Sequence, residues 1–184
     1  MAGHSGCSLI TIFDRVIVHY FITLLSLAFS LTAFADPVAE YQLKAGYAYN
    51  FAVNSEWPES GRVNFNFCTL NEDNVGLALR RFEGKPLQGR RLVVARLTSL
   101  VAINQCQVLY IGAGEAVNLS RILRQLGDEA VLTISDSPAL SAVCVKLELE
   151  GERLVFDLNL ERCRQARVKP SANMLRLARE VLKP

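Results

Sequence analysis

The sequence predicts an α/β domain: a three-layer Rossmann-like sandwich with a mostly parallel sheet and a C-terminal antiparallel hairpin. Three observations carry this. Residues 63–70 alternate Val63, Phe65 and Phe67 with Asn64, Asn66 and Cys68, the period of a strand with two distinct faces. Strand-like and helix-like runs then alternate as far as residue 135, the order that builds a parallel sheet covered by helices. Finally, two strand-like runs, 142–150 and 153–159, flank Glu150-Gly151-Glu152, a hairpin turn.

Residues 1–35 read as a signal peptide. Arg15 precedes a long apolar run, and Ala33-Phe34-Ala35 supplies a small-x-small cleavage site before Asp36. The competing reading is an uncleaved anchor, since 16–35 is long enough to span a bilayer. The closing tripeptide favours cleavage between Ala35 and Asp36. Cys7 lies ahead of the apolar run, where no lipid-attachment cysteine sits. The expected product is a soluble, secreted or periplasmic protein of one domain, residues 36–184, with no membrane segment after cleavage.

Composition then excludes several classes. Removing Arg15 and Asp14 with the leader leaves the net charge at +2, too balanced for a nucleic-acid binder. Both histidines, His4 and His19, leave with it, and with them the commonest general base and metal ligand. Cys68, Cys106, Cys144 and Cys163 remain, an even number that reads as two disulfides in an oxidising compartment. Three pairings are open. No Cys-x-x-Cys spacing points to zinc or a thioredoxin-like motif, and no cofactor is implied.

In chain order, Asp36-Pro37 caps a helix to about residue 53, with Leu43, Tyr47 and Phe51 on a wide apolar face. Pro58 ends it, and Glu59-Ser60-Gly61 turns into strand 63–70, the first strand of the sheet. Asn71-Glu72-Asp73 caps a helix over 74–82. A loop at 84–89 leads to strand 91–97, a short helical connector at 99–104, and strand 106–112. Helix 115–126 closes at Gly127, followed by strand 130–135 and a turn through Pro138. After the hairpin come a helical turn at 161–165 and a last helix from Ser171 to Lys183, packed through Met174, Leu175, Leu177, Ala178, Val181 and Leu182.

Little of this carries catalytic chemistry. Gly112-Ala113-Gly114 leaves a strand and opens a helix, where backbone N–H groups can hold an anion. It lacks the third glycine of a dinucleotide loop, and Glu115 opposes an anion. Ser135 and Asp136 leave the next strand at the same edge, so Gly112, Gly114, Ser135 and Asp136 form a candidate ligand edge. Ser135, Ser137 and Ser141 have no histidine to activate them, and Lys146 stands in no Ser-x-x-Lys spacing. Glu148, Glu150 and Glu152 look like a solvated face. An enzyme is disfavoured.

The ordered motifs resemble the YfiR family of periplasmic regulators. They are Tyr41 through Ala52 followed by Glu56-Trp57-Pro58, Phe67-Cys68-Thr69-Leu70, Gly84-Lys85-Pro86 with Gly89-Arg90, 106–111, Leu132 through Asp136, Phe156-Asp157-Leu158-Asn159-Leu160, and Ser171 with 175–178. The resemblance covers essentially the whole of 36–184. One departure is Asn54-Ser55, where the family usually has apolar residues. The resemblance implies a homodimer that binds the periplasmic domain of an inner-membrane diguanylate cyclase and holds it inactive. It also implies that an outer-membrane lipoprotein sequesters the repressor, and that disulfides tie the switch to redox state. It supports pairing Cys68 with Cys106, leaving Cys144–Cys163 to close the hairpin. Cys68 is late in its strand and Cys106 early in its own, so in-register parallel neighbours would hold them apart unless the chain bends. The alternative reading is a small-ligand-binding sensor feeding a membrane kinase or cyclase, with 112–115 as its pocket.

Overall fold

A computed structural model describes residues 37–71, 73–137 and 142–183, with side chains from Glu40 onward. The predicted leader Met1–Ala35, its junction at Ala35-Asp36 and the Asp36, Glu72, Pro138 and Ser141 readings lie outside the described residues.

Helix α1 (Pro37–Val53) starts on the proline that is pre-set for a first helical position. Its buried face is Lys44, Ala45, Ala48, Phe51 and Ala52, while Leu43, expected there, is 40% exposed. The alanines decide this: with only a Cβ each, they let the helix lie close to the sheet, and Leu43 falls to the flank. Strand β1 (Ser55–Glu56) follows, unforeseen, and pairs antiparallel with β9 (Lys169–Pro170) in a ribbon apart from the main sheet.

Strand β2 (Asn64–Leu70) is the two-faced strand, without Val63, which is exposed. Helix α2 (Asn74–Leu79) is capped by Asp73 and runs on as a 3-10 turn, Arg80–Phe82. The 84–89 stretch holds a short strand, β3 (Pro86–Leu87), antiparallel to β4 (Arg90–Leu97). Gln88 and Gly89 both have positive φ, +50° and +75°, as a two-residue hairpin turn of this twist requires. A 3-10 helix, Leu100–Gln105, leads to β5 (Val108–Ile111). The helix expected over 115–126 is a 3-10 segment, Ala113–Asn118, then α3 (Leu119–Leu126), ended by Gly127 at φ +51°. Next come β6 (Leu132–Ser135), β7 (Val145–Glu150), β8 (Arg153–Asn159) and α4 (Leu160–Gln165).

The end of the chain departs from expectation. The long last helix is only α5 (Ala172–Leu177), followed by a strand, β10 (Glu180–Leu182). Ala178 is already extended, with φ −63° and ψ 139°. Arg179 is the cause: its N–H donates to Phe156 O at 2.8 Å, and its guanidinium donates to Asp157, Glu148 and Glu150. That capture pulls 180–182 into parallel pairing with β8, so the β7–β8 pair has a further strand beyond it. Met174 alone of the expected apolar face is fully buried; Leu175, Leu177 and Leu182 are exposed.

The main sheet runs β10-β8-β7-β6-β5-β2-β4-β3 and is mostly parallel, with β7–β8 and β3–β4 antiparallel. Alternation sends its side chains into two apolar clusters. Phe65, Phe67, Val108, Tyr110, Leu132 and Ile134 join α1 and α2. Cys68, Leu70, Leu109 and Ile111 join Ile103 of the 3-10 helix and Ile122 and Leu126 of α3. The class is therefore mixed α/β. Strand order reverses between β2 and β5, whose carboxyl ends set one edge of interest. Among the described residues no helix is long and apolar enough to cross a membrane.

Candidate functional site

At the carboxyl edge Gly112, Ser135 and Asp136 border an internal polar cluster, and Gly114 does not. Lys44, 8% exposed on α1, bonds Glu40 one turn earlier and Asp136 after β6, each at 2.6 Å. Its ammonium is stabilised above its ordinary range because these carboxylates outweigh its burial. The Tyr110 hydroxyl is buried with no hydrogen-bond partner of ordinary geometry among the described residues, as is Asp136 Oδ1. Burial, then the Asp136 and Asp73 charges, push the phenol far up, so it stays protonated. Ser135 is structural: its Oγ donates to Ile111 O at 2.7 Å and accepts from Ser137 N at 3.1 Å.

The Gly112–Gly114 turn, a possible anion-binding loop in the sequence, has a carboxylate beside it. A Cβ on Gly112 would collide with the Asp73 carboxylate, so a negative group lies against this turn. Gly112 O accepts from Glu115 N, and Glu115 receives Asn71 Nδ2 at 2.5 Å and Asn118 Nδ2 at 2.9 Å. Gly114 faces open space.

Asp73 is the N-cap of α2 at this edge. Its Oδ1 accepts from Val75 N at 2.7 Å and Gly76 N at 3.3 Å. Burial nevertheless raises its carboxyl above the ordinary 3.8, the two N–H bonds only partly opposing. The folded state therefore holds the proton more tightly than the unfolded chain. Stability from this group falls as pH rises from 3.8 through the raised value, and the loss is complete above it. Asp73→Asn keeps the cap acceptor and removes the charge, so it should be at least as stable as the parent at pH 7, with any advantage vanishing near pH 3. Asp73→Ala should lose about 1 kcal/mol. Urea melts at several pH values decide it; an Asn variant as weak as the Ala variant at pH 7 contradicts the assignment.

The Cys68–Cys106 bond is present, with Cα atoms 5.9 Å apart. The register problem is solved by a bend. Leu109 stands opposite Cys68 in the ladder, and Cys106 precedes β5, where the chain leaves the 3-10 helix packed over that face. The expected Cys144–Cys163 bond is not formed. Both are buried free thiols. Cys163, inside α4, directs its thiol at Cys144 O at 3.9 Å. The contact between the two thiols favours the thiolate on Cys144 and disfavours it on Cys163.

The motif residues gather at the opposite, amino-terminal edge. Trp57, Pro58 and Arg90 line a cavity of about 170 Å³ together with Ser60, Arg62, Asn104, Cys106, Gln107 and Arg167. Trp57 donates to Gln107 O at 3.1 Å and stands edge-on to Phe65, and Phe65 carries Arg90 4.9 Å from its ring centre. Gly89 supplies the turn that delivers Arg90. Glu56 reaches Lys169 at 3.5 Å, and Asn159 caps α4 by accepting from Arg162 N at 3.1 Å. Asn54 and Ser55 have internal work: Asn54 O accepts from Ser171 N, and Ser55 Oγ contacts Met174 Sδ. No sequence signal joined Arg62, Arg90 and Arg167, which lie far apart in the chain. Glu148 and Glu150 belong to the Arg179 and Lys146 ion network, not to an acid–base pair. No group of three or more metal-ligating side chains occurs among the described residues.

These features define a mixed α/β domain with a mostly parallel sheet. The profile of the YfiR/HmsC-like family matches residues 41–179, and the chain belongs to that family. No curated protein matches it. Among solved structures it resembles a conserved domain protein from Vibrio cholerae O1 biovar eltor str. N16961, with a TM-score of 0.53 and 9% identity, over 79% of this chain and 60% of that one. The likeness is one of fold, and this chain spans about 60% of that protein's length.

Proposed function

We propose that this protein is a periplasmic, non-enzymatic regulator that binds the periplasmic domain of an inner-membrane diguanylate cyclase and represses it, lowering cyclic di-GMP and biofilm formation. The observation that carries the reading is family membership over residues 41–179. Export by the leader, cleaved between Ala35 and Asp36, brings it to that compartment. The sheet with apolar clusters on both faces is read as a three-layer Rossmann-like sandwich with a C-terminal hairpin. The working unit is a homodimer, and an outer-membrane lipoprotein relieves repression by sequestering it. Binding biases the cyclase only by its preference for the inactive conformation.

Redox sensitivity enters through cysteines. Cys144 and Cys163 are neighbouring thiols able to close a second disulfide by passing two electrons and two protons to a disulfide oxidant of the compartment. The test uses protein recovered from the periplasmic fraction, beginning at Asp36, titrated against the cyclase's periplasmic domain. Saturable binding that lowers cyclase turnover supports the reading. Protein found uncleaved in the membrane, or no binding by the oxidised dimer, defeats it.

A second reading, a small-ligand sensor, draws on Tyr110 OH and Asp136 Oδ1, which are buried without a hydrogen bond of ordinary geometry among the described residues. Native mass measurement showing a co-purifying small molecule, lost in Tyr110→Phe, would support it.

A further inference from the structure

We propose that the cavity at the amino-terminal edge of the sheet, lined by Arg62, Arg90 and Arg167, is a binding site for a small organic dicarboxylate. Trp57 and Gln107 are already hydrogen-bonded within the fold, and the cations around the cavity carry no ion pair among the described residues. Trp57 Nε1 is bonded to Gln107 O, and Gln107 Oε1 accepts from Asn66 N at 2.7 Å. The arginines, by contrast, bond only to neutral oxygens. Arg90 donates to Ser60 Oγ at 3.1 Å, Arg62 to Asn104 O at 2.9 Å, and Arg167 to Asp128 O at 3.0 Å. None of the three forms an ion pair among the described residues. Glu59 and Glu129 also line the cavity, both exposed, and neither pairs with them.

Holding Arg62 and Arg90 close together with neither in an ion pair is unfavourable, and it shows on Arg90. Burial first, then the Arg62 charge, pulls its guanidinium below the ordinary range. An incoming anion relieves that repulsion. Guanidinium forks match carboxylates in two-pronged geometry. Two carboxylates on one molecule engage cations from separate parts of the chain, while Trp57 and the Cys106 wall offer apolar contact to the carbons between them. The volume, about 170 Å³, is below the usual range for drug-sized ligands and restricts the ligand to a few carbons. The site does not depend on the cyclase reading, and its failure would leave that reading untouched.

The test is calorimetric titration of the oxidised protein with succinate, acetate and inorganic phosphate at matched ionic strength. Succinate is expected to bind saturably, at least tenfold tighter than acetate or phosphate. Arg62→Gln, exposed and harmless to the core, should weaken it about tenfold, as should Arg90→Gln. Arg124→Gln, an exposed cation on α3, should leave it unchanged. No saturable binding, equal binding of phosphate, or full binding by Arg62→Gln would overturn the proposal.

Discussion

Replacing Cys68 and Cys106 together by alanine is expected to destabilise the domain by about 4 kcal/mol. The bond closes a loop with a sequence separation of 38. The chain-entropy model gives roughly 4 kcal/mol for a loop of that size. A domain of this kind has about 5–15 kcal/mol in total, so the loss is a large share of it. Alanine isolates the cross-link, because both positions are about 1% exposed in an apolar cluster and serine would add a buried hydroxyl. Guanidinium melts of oxidised parent and double variant give the difference. Parent reduced under non-denaturing conditions should move toward the variant. A midpoint shift worth less than about 1 kcal/mol would show that the reference state is already constrained. Non-reducing peptide mapping on the same samples reads Cys144 and Cys163; a link from either to Cys68 or Cys106 would contradict the connectivity.

Phe65→Ala is expected to remove about 3–5 kcal/mol and to disturb the amino-edge cavity as well. Phe65 is fully buried on β2, edge-on to Trp57 with ring centres 5.1 Å apart and underneath Arg90. Its loss leaves a void in the core and takes the support from both cavity residues at once. Trp57 is the protein's one tryptophan, so its fluorescence reports the second effect directly. A red-shifted, more quenchable emission in the folded variant is expected alongside the lower midpoint. Unchanged emission would mean that Trp57 is held by its Gln107 bond alone.

What was legible in the sequence follows from how each element is specified. β2, β4, β5 and β6 carry their own period or apolar run, and α1 and α2 carry Pro37 and Asp73 at their starts. These owe little to distant partners. β1, β3, β9 and β10 are two or three residues long and have no period to read; their pairing comes from across the fold. β10 shows the conflict most clearly. Residues 174–182 have helical spacing of apolar groups, but Asp157, Glu148 and Glu150 capture Arg179, and that tertiary contact overrides local preference. The candidate site divides similarly. Gly112 and Asp136 were placed at one edge from strand ends alone. That Asp73 would fill the space beside Gly112 depends on how β2 and β5 lie side by side, and no local spacing encodes it.

The proposed repression of a membrane diguanylate cyclase is tested most directly by cellular cyclic di-GMP in a deletion strain that still expresses the candidate cyclase. The account predicts a rise in cyclic di-GMP and biofilm, reversed by the parent chain and only partly by a chain lacking Cys68 and Cys144. Unchanged cyclic di-GMP with the cyclase present would contradict it.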